Sequence, residues 1–379
     1  DQVHGVTPNM PPAPKLGVLL VTLRTPDAPR APEVRRYLRE FLSDPRVLDI
    51  SPLGRWLLLN LVILPFRPAR SAAAYRAIWR TEGSPLLHHS RRLTDALRAV
   101  LPDCEVELAM RYGRPGLKAG LMALRERGCD RIVAVPLYPQ YAASSTGSTV
   151  EALYRAAGEP WNTPYLSIVP PFYDHPAFID AFAQVGAPVL QDFRPDHVLF
   201  SFHGVPERHV RKSDPSGLHC LKAPACCEVI GKANHACYRA HCMATAAALR
   251  DRLGLAREHT TVSFQSRLGR TVWVRPYTDE VIPELARRGV KRLAVFCPAF
   301  VADCLETLEE IGMRATEQFK EHGGEALQLV PSLNDHPAWV QGLRVLIRES
   351  APRVRSLPIA RSWPPGHSLR DSMDTLPTG

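Results

Sequence analysis

The sequence predicts an α/β fold built as two related halves, each a parallel sheet flanked by helices. Three observations carry this. Short apolar runs of strand length alternate with amphipathic helical segments from Leu16 onward, the pattern of strands joined by crossover helices. The same order of elements occurs twice, without close sequence repetition. Polar turns follow the apolar runs, at the sheet edge where ligands bind in such folds. A chain of 379 residues with 45% hydrophobic and 22% charged content has room for roughly two globular domains.

In the first half, Leu16 to Leu23 reads as a strand and Pro32 to Leu42 as an amphipathic helix. Asp44-Pro45 ends that helix, because the residue before proline is pushed out of helical geometry. Leu53 to Arg67 carries large apolar groups shouldered by Arg55, Arg67 and Arg70. It fits either a buried helix or an exposed apolar flap suited to a greasy ligand or membrane surface. Helices at Ser71–Arg80 and Leu86–Leu101 precede a strand at Glu105–Met110 and the turn Arg111-Tyr112-Gly113-Arg114-Pro115. A helix to Arg127, a strand at Arg131–Leu137 and the turn containing Tyr138-Pro139-Gln140-Tyr141 follow. A helix at Val150–Ala157 and a strand at Tyr165–Val169 complete the half.

The second half has a helix at Pro176–Leu190, a strand at His197–Ser201 and a cysteine-rich loop. Then come a helix at Tyr238–Leu253, a strand at His259–Phe264, a helix at Asp279–Arg288 and a strand at Arg292–Phe296. That last strand opens onto Pro298 to Thr307 and a further helix. From Ala351 the chain turns Pro-, Ser- and Arg-rich without periodicity, the signature of a flexible tail.

A formal net charge of +9 favours anionic partners. The basic residues are scattered, with no aromatic-basic ladder, which argues against nucleic acid. Asp1 to Lys15 is polar and Pro-rich, unlike a signal peptide. The apolar stretch Trp56–Phe66 falls short of the ~20 residues of a spanning helix. Nine cysteines without an export signal point to a reducing, cytoplasmic setting in which thiols bind metal or stay free.

Two residues stand out for chemistry. His203 ends a predicted strand beside Gly204, where a backbone can approach a ligand closely, and imidazole titrates near neutrality. Glu306 lies at the corresponding edge of a later strand, where an acid also complements a helix dipole. Cys220, Cys226, Cys227, Cys237 and Cys242 crowd one short window. Thiolate-rich sites take zinc or iron–sulfur clusters. The spacing is not that of paired C-x2-C knuckles, although His219, His235 and His241 keep a zinc site open.

Several stretches together resemble the ferrochelatases: Ser201-Phe202-His203-Gly204-Val205-Pro206 with Ser213-Asp214-Pro215, Met110-Arg111-Tyr112-Gly113, Pro136 to Gly147, Phe264 to Glu280, and Asp303-Cys304-Leu305-Glu306-Thr307-Leu308. The resemblance runs from about Leu16 to Leu343. It implies two Rossmann-like, chelatase-type domains with a porphyrin cleft between them, and insertion of Fe2+ into protoporphyrin IX with release of two protons. His203 is then the proton acceptor or metal ligand, and Glu306 the acidic partner across the cleft. Leu23, Tyr75, Ser84, Arg111, Tyr138 and Trp273 match positions that line the cleft or hold propionates. The implied division is an extension at 1–15, a first domain at 16–190 with a lip at 53–67, and a second at 191–330 with a cysteine-rich insertion at 216–237. A C-terminal helix at 331–350 packs on the core before the tail at 351–379.

Relatives without a cluster pass almost directly from Asp214-Pro215 to the equivalent of Tyr238–Cys242, whereas some microbial members carry a [2Fe–2S] cluster in such an insertion. The resemblance therefore implies a cluster on Cys220, Cys226, Cys227 and Cys237. Cys242 is the spare, or replaces one of the adjacent pair. The lip implies peripheral contact with the inner face of a membrane; a homodimer is a further expectation that no residue carries. The family's usual Asn-Leu-Gly-Thr-Pro reads Thr22-Leu23-Arg24-Thr25-Pro26 here, so that Arg24 either crowds the cleft or adds a propionate contact. Cys304 stands where some relatives have a histidine. Competing readings are a chelatase for another tetrapyrrole or metal, such as coproporphyrin III or a cobalt precursor, and a non-catalytic haem or iron–sulfur sensor.

Overall fold

The computed structural model describes residues 15–269 and 271–351. The extension at 1–14 and the tail from 352 lie outside the described residues.

Continuous apolar runs become strands buried on both faces, as parallel sheets require. Strand β1 (Leu16–Arg24) has Val18, Leu19, Leu20 and Val21 fully inaccessible. It pairs in parallel with β2 (Cys104–Tyr112) and β3 (Arg131–Pro136), and β4 (Tyr165–Ile168) adds to β3. The second half contains β5 (His197–His203), β6 (Thr260–Gln265), β7 (Arg292–Phe296) and β8 (Ala326–Leu329), again all parallel. The strand orders are β2-β1-β3-β4 and β6-β5-β7-β8. The second half therefore repeats the topology of the first, and each sheet reverses direction of growth beside its central strands.

Helix α1 (Ala31–Leu42) buries Val34, Tyr37, Leu38 and Leu42, the stripe expected of an amphipathic helix. The predicted lip and the helix after it form one continuous helical run: α2 (Pro52–Leu57), a π-helical stretch (Leu58–Ile63) and α3 (Leu64–Ile78). Pro65 follows the π-helical stretch directly, at the junction where the hydrogen-bond offset of the run changes. Leu59 and Leu64 pack on α1, while Leu53, Trp56, Leu61, Val62 and Phe66 point outward. The flap is thus neither wholly buried nor loose; it presents an exposed apolar ridge.

Further helices are α4 (Pro85–Val100), α5 (Leu117–Glu126), α6 (Ser148–Gly158) and α7 (Pro176–Phe193). The second half adds α8 (Glu207–Lys212), α9 (Tyr238–Arg252), α10 (Thr278–Arg287), α11 (Thr316–Glu321) and α12 (Pro337–Ser350). In α7, Gly186 lies against Phe296 of β7, where an added Cβ would come within 2.5 Å of the ring. Helix α12 crosses back onto α4 and α7, with Gly342 against the Ala177 carbonyl. One apolar core consequently runs through both sheets, from Val18, Leu20 and Val135 to Phe200, Phe296 and Trp339.

Candidate active site

The carboxyl ends of β1, β3, β5 and β7 converge on an apolar cleft of about 1180 Å³, counting its open mouth. The first half supplies Leu23, Arg24, Tyr138 and Ser145; the second supplies His203, Phe300, Cys304 and Glu306. Tyr75 of α3 and Ser84, the N-cap of α4, complete the wall. Across the halves, Gln140 donates to Thr245 Oγ1 at 3.0 Å, and the Tyr141 N–H donates to His241 Nδ1 at 3.1 Å.

His203 is the last residue of β5 and is half-buried between Trp273 and Phe300, with ring centroids 6.5 and 6.2 Å away. Its Nδ1 is 2.6 Å from the Gly204 carbonyl oxygen. A carbonyl only accepts, so Nδ1 carries the proton and Nε2 keeps its lone pair. Tyr238 donates to the His203 carbonyl at 2.7 Å and fixes the strand end. Gly204 serves a different purpose from the one expected: it lets β5 close on β6, its N–H donating to the Gln265 carbonyl at 2.7 Å, where a Cβ would come within 2.9 Å of that oxygen.

Glu306 opens a π-helix (Glu306–Ala315). Buried Asp303 sets its entry, accepting from Thr307 Oγ1 at 3.0 Å and Asn334 Nδ2 at 2.8 Å. Gln265, at the end of β6, donates to the Glu306 carbonyl at 2.9 Å. The structure adds a carboxylate that the sequence reading lacks. Glu310, four residues on, accepts from the Ser266 N–H at 2.9 Å and Ser266 Oγ at 2.5 Å. Burial pushes its pKa up, against the hydrogen bond from Ser266 and the charge of His203. Two of the three π-helical stretches border the cleft, Glu306–Ala315 through Glu306 and Ala143–Gly147 through Ser144 and Ser145. Such turns concentrate at functional sites and carry no sequence signature.

Of the expected porphyrin contacts, Leu23, Tyr75, Ser84 and Tyr138 line the cleft, and Trp273 stands beside His203. Arg111 is placed elsewhere. Its Nε donates to Ser148 Oγ at 2.8 Å and its NH2 to Asp44 at 2.9 Å, so the guanidinium is engaged by neighbouring elements rather than turned to the cleft. Arg24 is on the wall instead, stacked 3.6 Å over Phe41 and 4.7 Å over Tyr37. Burial opposes its charge, but Tyr37, Tyr75 and Glu306 outweigh this and raise its pKa.

The cysteine insertion is an irregular loop away from the cleft, stapled by two side chains. Asp214 accepts from the N–H groups of His219 and Cys220 at 2.8 and 2.9 Å. Asn234 donates to the carbonyls of Cys226 and Val229 at 2.9 Å. The Cys226 and Cys227 sulfurs are 3.8 Å apart, and Cys220 Sγ donates to the Ala233 carbonyl at 3.8 Å. Cys242 is fully buried in the core behind the loop. No disulfide joins the cysteines, and among the described residues no group of three or more His, Cys, Asp or Glu could hold a metal ion as arranged. His219, His235 and His241 each engage a backbone carbonyl with one ring nitrogen at 2.9–3.0 Å, and His241 accepts the Tyr141 N–H on the other. Burial pushes His241 down to about 4.

Fold and cleft define a two-domain chelatase-type α/β protein. SirB from Bacillus subtilis, solved with Fe3+, superposes with a TM-score of 0.51 at 13% identity, covering 89% of this chain and 96% of that one. The family model for ferrochelatase matches residues 15–351. The ferrochelatase of Ectopseudomonas mendocina is 50% identical over 339 residues, 89% of this chain and 98% of that protein. A Coxiella burnetii ferrochelatase is 45% identical over 338 residues, 89% and 94% of the two chains. The chain belongs to the ferrochelatase family, lyases that perform the last step of haem synthesis.

Proposed function

We propose that the cleft binds protoporphyrin IX between the two sheet edges and that His203 accepts its pyrrole protons as Fe2+ enters. The observation that carries this is the imidazole itself: its Nδ1 proton is held by the Gly204 carbonyl, and it lines the same cleft as Glu306. A flat macrocycle with two N–H groups admits a metal only when deprotonated and bent. A cleft that favours the bent ring contributes roughly 1–5 kcal/mol of that distortion. Glu306, with Glu310 behind it, offers carboxylate oxygens for the metal or for departing protons. Arg67, beside Glu306 and Arg24, is the lip cation available to a propionate. Anaerobic assay with ferrous iron, protoporphyrin IX and coproporphyrin III tests the reading. Turnover with protoporphyrin IX supports it, and absence of metallation of any porphyrin overturns it.

The thiols Cys220, Cys226, Cys227 and Cys237 share one loop, and we infer that a rearrangement of that loop from its present arrangement brings them onto a [2Fe–2S] cluster. When bound, such a group supplies one-electron chemistry and a covalent brace. Asp214 and Asn234 shape the loop toward it, and Arg239 donates to Cys227 Sγ at 3.1 Å. Visible absorption and EPR of the reduced protein test this reading, and a colourless protein holding one tightly bound zinc overturns it. No helix among the described residues is long and apolar enough to cross a membrane. The ridge of Leu53, Trp56, Leu61 and Phe66, shouldered by Arg55 and Arg70, supports a cytoplasmic enzyme resting peripherally on an anionic bilayer. Sedimentation with such vesicles tests it, and recovery of all the protein in the supernatant overturns it.

A further inference from the structure

Arg24 is a cation without a hydrogen-bonding partner in the middle of the cleft wall. Its side chain is 15% exposed, and its NH2 stands 4.0 Å from Glu306 Oε1, beyond hydrogen-bond length but within strong Coulomb reach. Among the described residues no acceptor lies within bonding distance of its guanidinium, which is held by stacking on Phe41 and Tyr37. Stacking fixes a guanidinium without consuming its donors or its charge. The side chain folds back on its own half's aromatic groups instead of filling the cleft, and among the described residues Glu306 is the carboxylate it faces.

We propose that Arg24 is the resident counter-ion of Glu306 and sets the affinity of the cleft for the incoming metal cation. The inference rests on the reading of Glu306 as a metal-side carboxylate. In the metal-free cleft the guanidinium neutralises that carboxylate across 4.0 Å. A divalent cation arriving at Glu306 meets a like charge that cannot deprotonate, since arginine stays charged at any working pH. Iron therefore enters against Arg24, and the strength of binding is the difference between the two cations' claims on one carboxylate. The Arg67 guanidinium, pushed down in pKa by burial and by Arg24, adds to the same repulsion.

The test is a split of Michaelis constants. Arg24→Leu keeps apolar contact with Phe41 and removes the charge; Arg24→Lys keeps the charge. The expected result is that Arg24→Leu lowers KM for ferrous iron about five- to tenfold, leaves the protoporphyrin dissociation constant from fluorescence quenching unchanged, and makes KM less sensitive to salt. Arg24→Lys keeps the charge but not the guanidinium stacking, so its iron KM should lie between those of the parent and Arg24→Leu. An unchanged iron KM in Arg24→Leu overturns the proposal, as does weaker porphyrin binding with no gain for iron, which marks a propionate clamp. Glu306→Gln separates the two readings. If it metallates at the parent rate the reading of Glu306 fails; if it is inactive while Arg24→Leu leaves iron KM unmoved, only the role of Arg24 fails.

Discussion

Replacing Asp44 by alanine should be among the most destabilising single changes outside the apolar core. Its side chain is 7% exposed and gathers four donors from three elements: Arg111 at 2.9 Å, Tyr112 at 2.7 Å, Ser148 at 2.5 Å and the Arg46 N–H at 2.7 Å. Removing it leaves the Arg111 guanidinium unpaired in a largely buried place, which costs about 3–5 kcal/mol. That is a large fraction of the roughly 5–15 kcal/mol that holds a domain folded. The measurement is urea denaturation of the parent, D44A, R111M and the double variant. The double variant should be at least about 2 kcal/mol more stable than the sum of the single losses, because neither charge is then left alone. Additive losses, or a loss below about 1 kcal/mol in D44A, would refute the reasoning. The pH dependence has a fixed sign. Burial would raise the Asp44 carboxyl, but hydrogen bonds from Ser148 and Tyr112, with the Arg111 charge, hold it below the ordinary value. A depressed folded pKa stabilises above the unfolded value near ~3.9, and that contribution disappears as pH falls through the folded value. D44A should therefore lose part of the parent's acid sensitivity below about pH 4.

His203→Ala should abolish metallation while leaving porphyrin binding measurable by fluorescence quenching; substantial residual turnover would remove the imidazole from the reaction. Gly204→Ala places a Cβ 2.9 Å from the Gln265 carbonyl, so it should cost about 1–3 kcal/mol in thermal or urea unfolding and reduce turnover by shifting His203. Cys220→Ser and Cys237→Ser should each bleach the visible spectrum and remove the EPR signal of the reduced protein, whereas Cys242→Ser should retain both. Trp56→Ser combined with Phe66→Ser removes two side chains that are 58% and 76% exposed. It should lower co-sedimentation with anionic vesicles about tenfold or more, with thermal stability within about 0.5 kcal/mol of the parent.

What the sequence reveals follows from how local each cause is. Val18 to Val21 and Leu293 to Phe296 declare buried parallel strands because both faces are covered and no polar alternation survives. His203 is singled out in the sequence because it ends such a strand, and Glu306 because it opens the helix after the loop that follows β7. Glu310 is not, since a glutamate four residues into a helix looks like any solvated face. The role of Asp44 is hidden for a different reason. Its sequence context, before Pro45, explains it fully as a helix terminator, while its partners Arg111 and Ser148 lie far along the chain. The same distance makes Arg111 look available for a ligand when it is engaged elsewhere. The π-helical stretches leave no trace, because they depend on the hydrogen-bond offset and not on residue type.

The duplicated topology places Arg24 and His203 in equivalent positions. Each is the final residue of the strand that sits second in its sheet, β1 in β2-β1-β3-β4 and β5 in β6-β5-β7-β8. Both reach the same cleft. A guanidinium cannot accept a proton, and an imidazole with its Nδ1 hydrogen engaged can. On the proposed reading, proton transfer belongs to the second half, whose neighbouring strands β5 and β7 lead into His203 and Glu306. The first half contributes a fixed charge and a wall of Leu23, Tyr75 and Tyr138. The asymmetry is chemical and not architectural. An Arg24→His variant, which places an imidazole at both strand ends, should gain an ionisation near ~6.5 in the pH profile of iron KM, because neutralising that imidazole releases Glu306 as pH rises. A pH profile identical to the parent's would mean that the side chain at this strand end does not act on the metal at all.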